Sequence, residues 1–202
     1  MTKQFEILQK EIVYPGFFRM EKYRLKHTLY AGGWGPEISR ELFLRGSCVA
    51  VLLYDPIADK VVLIEQFRAG AILQPDRAWL MEIVAGAIEE GETALEVAYR
   101  EAKEEAGCEI LDLIEISEFY TTPGCSAERI TLYCAKIDSH QVGGIHGLEE
   151  EHEDIFVRAV DFEEAYGMIE TREIESAIPI VALQWLALNK QKIREKWCIG
   201  DA

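Results

Sequence analysis

The chain has 202 residues, 49% hydrophobic and 28% charged, enough for one or two domains with a real core and too apolar for disorder. Its net charge of -15 argues against nucleic acid, whose binding needs cationic groups on the phosphates. The same charge makes an anionic small substrate awkward unless bound cations or local arginines reverse the field.

The first 46 residues read as strands and turns. FEILQKEIVY alternates in part, Pro15-Gly16 breaks the pattern, and FFRMEKYRLKHTLY resumes it. GGWGP at 32–36 is a turn, and ISRELFLR is a further strand. Three such strands make a poor core alone, so they must pack on the rest of the chain or on a second copy. From Ser47 onward the pattern strengthens. CVAVLLY and KVVLIEQF are apolar strands joined at Asp55-Pro56, and WLMEIVAG is a third. A helix follows, opened by a Thr93–Glu96 capping box and closed by Gly107. LIEISEFYTT, ERITLYCAKI and DIFVRAV are the next strands. Between the last two lies DSHQVGGIHGLEEEHED, which reads as a loop too polar for a strand. The chain ends in two helices, FEEAYGMIE and a longer one over 176–196. This order predicts an α+β fold, a mixed sheet between helical layers.

Five cysteines, Cys48, Cys108, Cys125, Cys134 and Cys198, form no CxxC pair and are odd in number. Free thiols in a reducing compartment fit better than a disulfide frame or a zinc site. The N-terminus has no apolar signal core and no run reaches membrane-spanning length. A cytoplasmic protein is the expectation.

Chemistry concentrates in GAIEEGETALEVAYREAKEEAGC, residues 86–108. Glu101, Glu104 and Glu105 stand at i, i+3 and i+4 of the helix and share one stripe. Taken alone, that stripe reads as a solvated acidic face, steadied by Arg100 and Lys103. It also suits hard divalent cations, which take oxygen ligands and leave places for water and phosphate. The whole segment resembles the Nudix box, the signature of the Nudix hydrolases. Its fixed places fall on Gly86, Glu92, Arg100, Glu101, Glu104, Glu105 and Gly107, and all seven match. At about 7% use of each residue, chance gives roughly one such match in a hundred million start positions. Ala102 and Cys108 fill two apolar places of the box with smaller side chains than usual, and both are expected to face the core.

The resemblance implies a Nudix fold, an α/β/α sandwich covering 47–202, with the 1–46 segment serving a homodimer, its strands exchanged between subunits. It implies that Glu101 and Glu105 are the main ligands of Mg²⁺ (Mn²⁺ as substitute), with Glu104 in support and the Ala85 carbonyl as a further ligand. Gly86 lets backbone approach the metal, and Arg100 and Glu92 orient loop and helix. By motif position, Glu151 in GLEEEHED resembles the general base and Glu153 a neighbouring acid that reaches a metal; His152 ranks below them.

Beyond the box, Pro123 lies 15 residues after Cys108, where the ADP-ribose pyrophosphatase subgroup carries a proline. Read alone, Pro123-Gly124 is simply a turn. Glu128 resembles a contact to the ribose-phosphate side. Arg68 and Arg40 resemble arginines near phosphate and adenine, and Phe17 an aromatic that stacks on adenine. Glu82, an acid inside an apolar run, needs a partner if buried and suits a site lining. The implied activity is hydrolysis of ADP-ribose to AMP and ribose 5-phosphate. Two alternatives stand beside it: a Nudix pyrophosphatase for another nucleotide sugar such as GDP-mannose, and a non-catalytic nucleotide-sensing Nudix module.

Overall fold

The computed structural model describes residues 2–198, and the chain falls into two compact units. One holds the residues up to Ser47 together with Phe119–Arg129. The other runs over Cys48–Glu118 and from Ile130 onward. The expected division at residue 46 thus lacks the Phe119–Arg129 segment, which contacts in space attach to the N-terminal strands.

In the first unit, β1 (Phe5–Pro15), β2 (Arg19–His27) and β3 (Ile38–Leu44) form an antiparallel sheet in that order. Register shifts at Ile7/Gln9 and Ile12/Tyr14 are bulges that let β1 twist. Glu21 is fully buried on β2. Its charge is compensated by Lys10 Nζ at 3.0 Å, Arg19 Nε at 2.9 Å and the Tyr23 hydroxyl. The returning Phe119–Arg129 segment is stitched to β3: Phe43 N–H donates to the Cys125 carbonyl, and Ala127 N–H to the Phe43 carbonyl.

The second unit is built on β4 (Cys48–Asp55), buried along its whole length. An all-apolar strand of this kind needs cover on both faces. It runs parallel to β9 (Arg129–Lys136), which pairs on with β8 (Asp112–Tyr120). On the other side β4 pairs with β5 (Lys60–Phe67) only at Tyr54 and Asp55. Toward its start, β4 takes β7 (Val84–Ala87) instead, while the far end of β5 takes β6 (Trp79–Glu82). The run WLMEIVAG, expected as one strand, is therefore two, divided at Ile83. The two central strands part there, and the split opens the end of the sheet where the carboxylate helix lies.

β5 also pairs with β11 (Ile155–Asp161), and β11 with β10 (Gly143–His146). β10 lies inside the stretch expected to be a loop. It is an edge strand with one partner and two glycines, so it needs no apolar alternation to form.

Helix α1 (Ala94–Ala106) covers one face of the sheet. Its buried Val97, Ala98, Ala102 and Ala106 pack with Val49, Val51 and Leu53 of β4 and Ile64 of β5. Strand alternation sends Ala50, Leu52 and Tyr54 to the opposite face. There α2 (Phe162–Glu170) and α3 (Ala177–Cys198) lie, with Lys190 of α3 bonded to Asp59 beside the Tyr54 hydroxyl. The α/β/α layering of the expectation is the layering found. Ala102 and Cys108 are buried as expected. Cys48, Cys108, Cys125 and Cys134 are free; the Cys198 thiol lies outside the described residues.

Candidate active site

α1 is fixed at both ends. Thr93 and Glu96 cap each other's backbone N–H, and Gly107 closes the helix at φ 62°, a left-handed turn that a side chain would resist. The frame sets the azimuth of every glutamate on the helix. Ala102 and Ala106 point into the core, so Glu101 and Glu105 fall at its rim, against β7.

Glu105 is 2% exposed, and its Oε2 accepts from Ala85 N–H at 2.9 Å. Burial, more than anything else, pushes its pKa up to about 8. The Ala85 hydrogen bond opposes the rise, the charges of Glu101 and Glu153 add to it, and Arg68 opposes it. Glu101 is raised as well, first by burial, then by Glu104 and Glu153 against the opposing charge of Arg100. Three carboxylates of like charge sit close enough to disturb one another, in a place with little water.

Gly86 explains how Glu101 fits. A Cβ on Gly86 would stand 1.9 Å from Glu101 Oε1, so the carboxylate occupies the space a side chain would take. Arg100 reaches Glu101 at 2.8 Å, Glu104 at 3.0 Å and Glu92 at 3.3 Å. Glu92 in turn accepts from Glu89 N–H, which ties the preceding loop to the helix. The Arg100–Glu104 pair expected of a solvated face is thus present, but the same arginine also holds the half-buried Glu101.

The fit to a divalent cation rests on these donors. All are hard oxygens, Glu105 is a buried carboxylate short of positive charge, and Ala85 lies against it. Among the described residues, no three acidic, histidine or cysteine side chains close on one point as they stand. Arg100 and the Ala85 N–H hold the carboxylates.

The β10–β11 connection approaches from the other side. Gly147 N–H donates to the Glu104 carbonyl at 3.4 Å, and the His146 ring lies against Gly107. Glu153 is half-buried and accepts from Leu148 N–H at 3.3 Å. Glu151 is exposed at the end of a single 3-10 turn, and His152 next to it adopts φ 57°. At the open end of the sheet Arg68 Nε meets Glu82 Oε2 at 2.8 Å. That pair supplies the partner a half-buried acid requires.

The structure therefore gathers Ala85, Glu101, Glu104, Glu105, Glu153, Arg68 and Glu82 in the second unit. Glu151 belongs to the same unit, on the loop surface. Phe17, Arg40, Pro123 and Glu128 belong to the first unit and keep local company there. Phe17 is 98% exposed, edge-on to Phe18, and borders a hollow of about 340 Å³ with Tyr14, Met20 and Phe43. The exposed Arg40 donates to the Ser39 carbonyl. Pro123 is in the turn closed by Ser126 N–H on the Thr122 carbonyl. Glu128 pairs with Arg45 at 3.1 Å and accepts from the Thr121 hydroxyl at 2.7 Å.

Sequence reading passed over two residues here. Arg45, the partner of Glu128, has no distinguishing neighbour in the chain. Gln66 is buried on β5 with its amide nitrogen unpartnered. It carries the same signal as Glu82, a polar residue within the apolar run KVVLIEQF.

Comparison with known proteins identifies the family. Residues 44–184 match the NUDIX domain model. An ADP-ribose pyrophosphatase of Haemophilus influenzae is 41% identical over 96% of this chain and 91% of its own length. That of Escherichia coli K12 is 42% identical over 95% and 92%. A GDP-mannose pyrophosphatase of Shigella flexneri is 30% identical over 94% and 98%. A solved structure described as an ADP compounds hydrolase superposes with a TM-score of 0.71 at 21% identity, covering 95% of this chain and 97% of that one, which speaks for the fold alone. The chain belongs to the Nudix family, and it is more similar to these relatives named ADP-ribose pyrophosphatase than to the one named GDP-mannose pyrophosphatase.

Proposed function

We propose that the protein hydrolyses the pyrophosphate bond of ADP-ribose, giving AMP and ribose 5-phosphate, with Mg²⁺ as the preferred cation and Mn²⁺ as a substitute. The observation that carries this reading is the buried Glu105 carboxylate, beside Glu101 and Glu153, with Gly86 clearing the space. Such a cluster is costly without positive charge. Glu101, Glu105 and the Ala85 carbonyl would hold the cation, with Glu104 and Glu153 completing its surroundings. A divalent cation there supplies charge neutralisation of the pyrophosphate and acidifies a bound water.

The chain's own residues do the rest. Arg68 presents a guanidinium to the phosphates, and Glu82 holds it through their ion pair. Glu151, on the exposed loop, takes the proton of the attacking water when the loop closes, and leaves again with product. Phe17 stacks on adenine, while Arg40, Glu128 and Pro123 shape the remaining contacts. These residues sit on the N-terminal unit, and we propose that they act in a homodimer. The four free thiols support a cytoplasmic location, and no helix among the described residues is long and apolar enough to cross a membrane.

The test is product analysis with ADP-ribose and GDP-mannose, each with Mg²⁺ and with chelator. AMP from ADP-ribose in Mg²⁺ only is the expected result. Turnover of GDP-mannose alone would move the substrate; no turnover of either would favour a sensing module. Glu105→Gln should keep the fold and lower kcat by more than about a hundredfold, beyond the cost of losing a merely supporting group. Near-normal turnover by that variant would remove Glu105 from the cation site.

A further inference from the structure

Among the described residues, Gln66 is the one strongly buried amide on the sheet face that carries the site. It is 7% exposed, and its Nε2 is sealed from solvent without a hydrogen-bond acceptor. A buried donor left unmade costs on the order of 1–3 kcal/mol. A residue kept at that cost invites the question of what it bonds in another state.

Its place on β5 narrows the answer. Ile64 faces α1, so Gln66, two residues on, and Arg68 after it face the same way. The β5–β11 register ends with Phe156 opposite Glu65, and Ile155 and Gln66 are the next residues of the two strands. Ile155 also faces α1. Glu153 precedes it by two residues and packs against Gly147, whose N–H donates to the Glu104 carbonyl at 3.4 Å, so it lies beside α1 on this same face. On the other flank Glu82 stands opposite Ile64, diagonal to Gln66.

Four carboxylates, Glu82, Glu101, Glu105 and Glu153, thus lie about this part of the face, and three are already committed, Glu101 to Arg100 at 2.8 Å. Glu82 is held by Arg68 at 2.8 Å. Glu105 stands on a capped helix and is held by Ala85 N–H at 2.9 Å. Glu153 differs: it lies outside any strand or helix, its N–H donates to the Leu148 carbonyl at 3.2 Å, and its carboxylate accepts a long hydrogen bond from Leu148 N–H at 3.3 Å. It is the carboxylate free to turn.

We propose that Gln66 is a positioning residue of the cation site, its amide N–H reserved for the Glu153 carboxylate when that side chain turns inward to a bound divalent cation. The inference rests on the reading that these carboxylates hold a cation. As folded, the Gln66 amide nitrogen has no acceptor. In the loaded protein it fixes the direction of Glu153 and couples the loop to β5. Partners that orient a ligand in this way typically matter 10- to 100-fold in metal affinity.

The experiment compares wild type with Gln66→Met, an unbranched side chain of similar length without donors. Two quantities are read without substrate: thermal stability of the metal-free protein, and Mn²⁺ affinity by titration with paramagnetic detection. Gln66→Met should leave the metal-free Tm unchanged or higher, since an unmade donor is removed, and weaken Mn²⁺ binding by about tenfold or more. In a Glu153→Ala background the same substitution should have little further effect, because the acceptor is gone. A metal-free Tm well below wild type would make Gln66 a structural residue and overturn the proposal. Unchanged Mn²⁺ affinity would overturn it too, as would full additivity with Glu153→Ala. If wild type itself binds no Mn²⁺, the cation reading fails first, and Glu105→Gln identifies that case by matching wild type.

Discussion

Glycine at position 86 is the sharpest constraint at the scale of single residues. It follows the Ala85 peptide that holds Glu105, and it cedes its side-chain volume to Glu101. Gly86→Ala puts a methyl where the Glu101 carboxylate now lies, yet the clashing atoms are the end of a flexible side chain. The fold should survive and Glu101 should swing away. We expect kcat to fall by one to two orders of magnitude, roughly the cost of misplacing a catalytic group by an ångström. Circular dichroism unchanged from wild type and kinetics at saturating Mg²⁺ check this together. Full activity would show that Glu101 has no fixed place in the reaction.

The same scale shows what single residues disclose in sequence. Glu101, Glu104 and Glu105 are visible because their spacing is a helix spacing and the seven box places fix a register. Their inequality is not visible: Glu105 is buried, whereas Glu104 is partly open and paired to Arg100. That difference comes from how α1 lies on β7, a tertiary fact. Gln66 was legible only as a polar letter in an apolar strand, because its meaning depends on what faces it across β11 and β6.

Elements were legible where periodicity was strong and failed where pairing decided. Thr93, Glu96 and Gly107 announce both ends of α1, and both caps are formed. WLMEIVAG reads as one strand because its composition is uniform. The break at Ile83 exists because β6 follows β5 while β7 follows β4, a choice between partners that no local pattern records. β10 is the opposite error, a strand formed by its neighbour rather than by its own side chains.

The connection at the other end of the sheet yields a prediction on pH. Asp55 ends β4 and gathers N–H groups of Ile57, Ala58 and Ser139 and the Ser139 hydroxyl, at 2.7 to 3.0 Å. Burial disfavours its charge, but these hydrogen bonds prevail and hold its carboxyl below the usual range. A depressed folded value means that the contribution is complete above the unfolded pKa, about 3.9. It fades as pH falls from there through the folded value. Asp55→Asn should therefore lower stability by about 1–3 kcal/mol at pH 7, and the gap to wild type should shrink below about pH 4. Urea midpoints at pH 7, 5 and 3 test it. A gap that stays constant across that range would show that packing, not the charge, is what Asp55 contributes.

For the whole molecule the first unit poses the question. Every residue of β1 is exposed, among them Phe5 at 70%, Ile7, Leu8, Ile12, Val13 and Tyr14. A strand at the edge of a small sheet with that much bare apolar surface is an association surface. The buried Glu21, with its lysine and arginine partners, shows that the sheet is already specified within one chain, so association need not create the fold. We expect light scattering to give twice the mass of one chain at micromolar concentration. Ile12→Lys changes a half-exposed side chain, which should shift the stability of a single chain by no more than about 0.5 kcal/mol. In the homodimer proposed above, the same lysine would be forced into an apolar contact and should drive the mass toward that of one chain. Because Phe17 and Arg40 belong to this unit, KM for ADP-ribose should rise as the dimer comes apart, while metal affinity measured without substrate should hold. A wild-type chain that runs as a monomer and is fully active would separate the exposed strand from catalysis altogether.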